Sequence, residues 1–169
     1  HARVPALQYP GGALCETGAI AWFLSERFPQ ARLQVGERDT HRGRFLQWFH
    51  FLATTLQPDV MIQFHPEAYF SGSDEQDRFK SASMTRLAKV LATLESALDE
   101  GPYFMGDRLS MLDYLFAMQA VWPQIYPTTI EDYPNIGRLV ERVTSRPAVA
   151  NIIKVHEAQR NERIWPMRT

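Results

Sequence analysis

One cysteine stands in 169 residues. Cys15 therefore cannot form an intrachain disulfide, which fits a reducing compartment; cytoplasm is the expected location. Charge of one sign is also scarce. Eighteen Lys and Arg against nineteen Asp and Glu leave a formal net charge of −1. No field draws in a polyanion, so nucleic acid is not expected as a partner. Apolar runs stay far short of the roughly 18 residues that a membrane span needs, so no membrane is expected either. Residues 1–15 hold no continuous apolar core, because Pro5, Pro10 and glycines interrupt them; no secretory leader is read there. The histidines (His1, His41, His50, His65 and His156) show no spacing of the H-E-x-x-H kind, and no metal is expected.

What is present is ordinary globular composition, 45% hydrophobic and 22% charged, with strong local punctuation. Tyr9-Pro10-Gly11-Gly12 is a turn signal between Ala6-Leu7 and Ala13-Leu14, which predicts a small hairpin. Residues 17–28 carry Ile20, Trp22-Phe23-Leu24 and Phe28 in a helical pattern that Pro29 stops. Residues 29–38 are polar and form the best domain boundary. Asp39 or Thr40 can cap the next helix, whose Phe45, Trp48, Phe49, Phe51, Leu52 and Leu56 cover more than one stripe. Such a helix is expected to be buried on two sides, with a kink at Pro58 and an end at Pro66.

Ser71-Gly72-Ser73-Asp74 reads as a loop and cap. After it, Phe79, Leu87, Val90-Leu91, Leu94 and Leu98 recur at three- and four-residue spacing, the cleanest amphipathic helix in the chain. Gly101-Pro102 terminates it. Ser110-x-x-Asp113 predicts a capping box at the start of a helix that runs to about Val121, closed by Pro123. Two shorter helices follow, with Pro134 and Pro147 at their first positions. Residues 157–169 are polar apart from Ile164-Trp165 and are expected to fray. One hairpin and about six helices make a mostly α chain built as a helical bundle.

Val4-Pro5 before a strand, Glu16-Thr17 at a helix start, a polar linker, a long aromatic helix and then Gly106-Asp107-Arg108-Leu109-Ser110-Met111-Leu112-Asp113 stand in an order that resembles the glutathione transferases. Gly-Asp-x-Leu-Ser-x-Leu-Asp is a specific signal of that family's C-terminal helical domain, and Arg146-Pro147-Ala148-Val149 fits it too. The resemblance covers roughly residues 3–156. Its flavour is bacterial and beta-like, from Arg44-Phe45-Leu46-Gln47-Trp48 and Phe51-Leu52-Ala53-Thr54-Thr55-Leu56. It implies three parts: residues 1–28 as a partial thioredoxin-like domain (a hairpin plus one helix), 29–38 as a linker, and 39–169 as the helical domain.

The resemblance also implies a ligand, glutathione, as co-substrate. Pro5 would follow a cis peptide, and Val4 would pair through its main chain with the cysteinyl part of the ligand. Thr17 would hold the γ-glutamyl carboxylate at a helix N-terminus, and Glu16 would face the ammonium. Read from the residues alone, Val4-Pro5 is a strand entry and Glu16-Thr17 an ordinary helix cap. Trp48, Phe49, Phe51 and Gln57 are the candidate pocket for a small hydrophobic electrophile. Ser110 and Asp113 resemble a pair that acts in folding, and Cys15 reads as a small buried apolar residue.

Two departures qualify this. Beta-like members carry a His-Lys pair on the long helix, where this chain has Gln57 and Pro58. The thiol-activating Tyr, Ser or Cys lies in the family's first strand–helix turn. A βαβ unit needs roughly 30 residues, and only residues 1–3 precede Val4. The chain is therefore expected to be N-terminally incomplete, with no catalytic residue of its own. Two functions follow: a glutathione transferase, usually a homodimer, or a non-catalytic helical interaction module.

Overall fold

A computed structural model describes residues 4–121 and 132–161. Strands β1 (Ala6–Tyr9) and β2 (Gly12–Cys15) pair antiparallel in a two-stranded sheet, with Ala6 opposite Cys15 and Tyr9 opposite Gly12. Pro10-Gly11 is the connection. Gly12 leaves the turn at φ +134°, which a residue with a Cβ rarely adopts.

Helix α1 (Thr17–Arg27) follows, then a 3-10 turn at Pro29–Ala31. The proline that stops α1 thus starts the turn beyond it. Trp22 on α1 packs edge-on against Phe49 at 5.0 Å and tilted against Phe45 at 5.7 Å. The Arg42 guanidinium lies 5.0 Å from the Trp22 ring and donates to the Val35 carbonyl. Such aromatic pairs contribute about 1 kcal/mol each beyond the area they bury. Residues 29–38 are also tied to the helices that follow: the Met111 N–H donates to the Leu33 carbonyl at 2.9 Å, and Arg108 donates to the Gln34 carbonyl.

Helix α2 (Arg42–His50) begins later than the cap signal suggests. Asp39 and Thr40 do not cap it. The Asp39 carboxylate instead accepts the His41 N–H at 2.8 Å and pairs with Arg108. The expected two-sided burial is present: Trp48 faces Phe104 and Phe49 faces Trp22.

Pro58 changes the helix differently from a simple kink. Residues Phe51–Leu56 form a π-helical turn, and α3 (Gln57–Phe64) continues from it. A proline at this place has no N–H for the Thr54 carbonyl, and its ring collides with that carbonyl in α geometry. The wider turn lets the Gln57 N–H reach back five residues to the Leu52 carbonyl. A 3-10 turn at Pro66–Ala68 then leads to α4 (Ser73–Ala97), whose N-cap is Gly72.

Leu87, Val90, Leu91, Leu94 and Leu98 are buried, as their spacing requires. Across from them, buried Asp59 on α3 is held by the Arg86 guanidinium at 2.9 Å, and Ser83 donates to the Asp59 carbonyl. Arg44 joins α2 to the far end of α4. It donates to the Phe104 and Ala97 carbonyls and pairs with Glu100.

Helix α5 (Met111–Ala120) starts at the capping box that its sequence predicts. The Asp113 carboxylate accepts the Ser110 N–H at 2.7 Å and the Ser110 hydroxyl at 3.0 Å. Its other oxygen accepts the Phe104 N–H at 3.0 Å. Burial pushes the Asp113 carboxyl up to about 6, against the pull of these bonds. Pro123 lies outside the described residues. Helices α6 (Pro134–Thr144) and α7 (Pro147–Asn161) begin on the two predicted prolines. Glu95 of α4 accepts the Asn135 and Ile136 N–H groups at the start of α6. Residues 162–169 of the tail expected to fray lie outside the described residues.

The result is a mostly helical chain with one hairpin. Its core runs from Phe45 and Leu56 through Leu94 and Phe116 to Leu139, all fully buried.

Candidate functional site

The hairpin register sets the first element of the site. Because Ala6 pairs with Cys15, the residues just outside the two strands, Val4-Pro5 and Glu16-Thr17, meet at one end of the sheet. The Val4-Pro5 peptide is cis, and Val4 is 88% exposed. Glu16 is exposed and sits at φ 70°, ψ 117°. A non-glycine residue rarely occupies that region, and such conformations cost of order 1–3 kcal/mol. The Glu16 carbonyl accepts the first intrahelical bond of α1, from Ile20 at 2.9 Å. No side chain caps this helix. The Thr17, Gly18 and Ala19 N–H groups therefore point out of an uncapped positive helix end, which suits a carboxylate.

The long helix stands directly behind this end. A β carbon on Gly18 would lie 3.1 Å from Cζ of Phe49 and 3.9 Å from the Ala53 β carbon. Glycine lets α1 lie this close to α2 and the π turn without displacing Phe49, whereas a β carbon there would press on its ring.

The four residues proposed for an electrophile pocket do not form one wall. Trp48 and Phe49 are buried in the core, Trp48 between Phe51 and Phe104, and Phe49 against Trp22. Phe51 is half-buried beside Trp48. Gln57 is half-buried and accepts a hydrogen bond from Gln119 of α5. Trp48 and Phe49 thus position the helix, and Phe51 and Gln57 keep some surface.

An apolar cleft of about 490 Å³ lies elsewhere, between α1 and α5. Leu24, Phe28, Met111, Tyr114, Leu115 and Met118 line it. Buried Ser25 forms part of its lining; its hydroxyl donates to the Trp22 carbonyl at 2.7 Å and touches the Met111 sulfur at 3.3 Å. Sequence reasoning missed this cleft. The available signal was Leu24 on α1 and Phe28 just past its end, four residues apart and both exposed.

Cys15 closes β2 and is half-buried. Among the described residues no group of three His, Cys, Asp or Glu side chains is arranged to hold a metal ion. No helix among them is long and apolar enough to cross a membrane.

Residues 59–155 match a family model described as the glutathione S-transferase C-terminal domain. The chain is 28% identical over 154 residues to the glutathione S-transferase-like protein FUS3 of Gibberella fujikuroi, covering 89% of this chain and 72% of that protein. It is 26% identical over 153 residues to the glutathione S-transferase GstA of Escherichia coli O157:H7, covering 89% of this chain and 72% of that protein. Among solved structures, a sphingomonad glutathione S-transferase complexed with glutathione superposes with a TM-score of 0.77 at 25% identity. That superposition covers 90% of this chain and 73% of the other.

Proposed function

The chain belongs to the glutathione S-transferase family, and from that premise we propose that it binds glutathione at the start of α1. The uncapped first turn behind Glu16 carries this reading. Its free N–H groups would take the γ-glutamyl carboxylate, with the Thr17 hydroxyl beside them. The Glu16 carboxylate, exposed and held by an unusual backbone, would face the ligand's ammonium. Val4 offers its main chain to the extended cysteinyl segment in the manner of an added strand. A relative solved with glutathione bound, similar over most of the chain, supports the same ligand.

The chemistry proposed is transfer of glutathione to a small hydrophobic electrophile in a soluble, cytoplasmic homodimer of beta-like character. No residue of this chain is assigned to activation of the thiol. Phe51 and Gln57 remain the candidates for contact with the electrophile, because Trp48 and Phe49 are occupied in the core. The division into residues 1–28, 29–38 and 39–169 is the proposed domain organisation.

Calorimetric titration of the chain with glutathione tests the reading. One site is expected, weakened at least about ten-fold by Thr17→Val, since a charge-assisted hydrogen bond contributes about 1.5–3 kcal/mol. Absence of binding, or equal binding by the variant, would refute the assignment.

A further inference from the structure

The junction of α4 with α6 leaves a charged hollow. Ile136, Leu139 and Val143 form the buried stripe of α6. That burial fixes the rotation of the helix and brings Asn135, Arg138 and Arg142, three and four residues apart, onto a neighbouring face. Glu95 of α4 accepts the Asn135 and Ile136 N–H groups at 2.8 and 3.0 Å. The Asn135 side-chain amide donates to the Asp99 carboxylate at 2.7 Å, and its oxygen accepts from Arg138. These bonds set the start of α6 against the end of α4.

A cavity of about 250 Å³ lies in this junction. Leu98 and Pro102 give it an apolar surface, and Asp99, Asn135, Arg138 and Arg142 supply its polar lining. Arg138 is engaged by Asn135. The Arg142 guanidinium has no hydrogen-bond or ion-pair partner among the described residues. Asp99 lines the same cavity, yet these two opposite charges do not pair. Asp99 also follows closely on Ala97, the last residue of α4, where the helix presents its negative end. The α4 side of the cavity is thus negative and the α6 side positive, with one guanidinium uncompensated.

We propose that this cavity binds a small zwitterion, an α-amino acid with an apolar side chain. Its carboxylate pairs with Arg142, whose planar fork suits that group. Its ammonium meets Asp99 and the negative end of α4. Its side chain packs on Leu98 and Pro102. The cavity is smaller than the roughly 300 Å³ at which pockets for drug-sized ligands begin, which suits one amino acid and excludes a nucleotide. A simple anion would face Asp99, and a simple cation would face two guanidiniums, so a molecule carrying both charges fits better than either. The cavity shares no residue with the start of α1, and the inference stands or falls independently of glutathione binding.

Backbone amide chemical shifts of the full chain, titrated with L-leucine, test the proposal. Two analogues keep the leucine side chain: 4-methylpentanoate lacks the ammonium, and 3-methylbutylamine lacks the carboxylate. Two solvated ion pairs and a short apolar contact place the affinity in the millimolar range. Leucine is expected to shift the Gly101, Asn135 and Arg142 amides saturably. Each analogue should bind about five-fold more weakly, the upper end of what one solvated ion pair contributes. Arg142→Gln and Asp99→Asn should each weaken leucine binding to the same degree. Arg142→Gln removes no side-chain hydrogen bond, and Asp99→Asn keeps an oxygen for the Asn135 amide, so the junction stands in both. Absence of a saturable shift at these amides overturns the proposal. So does an analogue that binds as well as leucine, which would mark an ion site of one sign. Leucine affinity unchanged in either variant overturns it too.

Discussion

Gly18 and Phe49 occupy one space: a β carbon on the glycine would stand 3.1 Å from Cζ of the phenylalanine ring. The contact joins the helix that carries the candidate ligand site to the helix that carries the core. Phe49 has little freedom to yield, because Trp22 packs edge-on against it at 5.0 Å. Gly18→Ala would gain about 1 kcal/mol of helix propensity and lose about 1–3 kcal/mol to overpacking. A net loss of about 1 kcal/mol in urea denaturation is expected, with a larger loss for Gly18→Val. A stabilised Gly18→Ala would mean that Phe49 moves freely, against the packing described above.

Glu16 should show stability and binding moving in opposite directions. Its φ of 70° suits glycine, and glycine is also tolerated at a helix N-cap. Glu16→Gly is expected to raise unfolding stability by about 1 kcal/mol, the strain removed. The same change removes the carboxylate proposed to face the ligand's ammonium, so glutathione affinity should fall. Denaturation and calorimetry on one preparation check both. A variant that is more stable and binds equally well would leave Glu16 as a strained residue with no part in the ligand.

Arg44 and Glu100 form an ion pair whose two ends should matter unequally. The Arg44 side chain is 28% exposed and also serves the Phe104 and Ala97 carbonyls. Glu100 is 69% exposed at its side chain. Arg44→Ala removes donors from partly buried carbonyls and is expected to cost about 2–3 kcal/mol. Glu100→Ala removes a solvated partner and should stay within about 0.5 kcal/mol. Equal losses in urea melts would show that the pair itself, and not the carbonyl bonds, secures the junction.

Local chemistry is what the sequence makes legible. Tyr9-Pro10-Gly11-Gly12 shows the hairpin because turn residues act within four positions. Ser110 and Asp113 show their box because both partners sit in one helical turn. Pro134 and Pro147 mark helix starts for the same reason. Longer reach defeats the reading. Asp39 looks like a cap, yet Arg108, 69 residues on, shares its carboxylate. Trp48 and Phe49 look like pocket residues until Phe104 and Trp22 arrive from distant segments to bury them. The cleft beside Ser25 depends on Met111, 86 residues away. Pro58 announces a disturbance, but a kink and a π turn answer the same missing N–H equally well.

Asp113 gives the chain a pH dependence with a definite sign. Burial lifts its carboxyl from an ordinary value of 3.8 to about 6 in the folded state. Between those values the folded protein holds a proton that the unfolded chain has released. Stability from this group is therefore full below about pH 4 and is lost as pH rises through about 6, by about 3 kcal/mol in total. Asp39 and Glu67 work in the reverse sense, since hydrogen bonds from His41 and His65 hold their carboxyls below the ordinary range. Both are solvated, so their effect is small. Asp113→Asn should remove the loss between pH 4 and 6 while keeping one carbonyl acceptor for the Ser110 or Phe104 N–H. Asp113→Ala leaves the Ser110 N–H, the Ser110 hydroxyl and the Phe104 N–H without this acceptor; it should cost about 2–5 kcal/mol at pH 4.5, and less as pH rises through about 6 and the unaltered protein loses its advantage. Urea melts from pH 4.5 to 7.5 compare the three chains. Parallel curves for the unaltered protein and Asp113→Asn would mean that Asp113 ionises at its ordinary value, with its hydrogen bonds outweighing its burial.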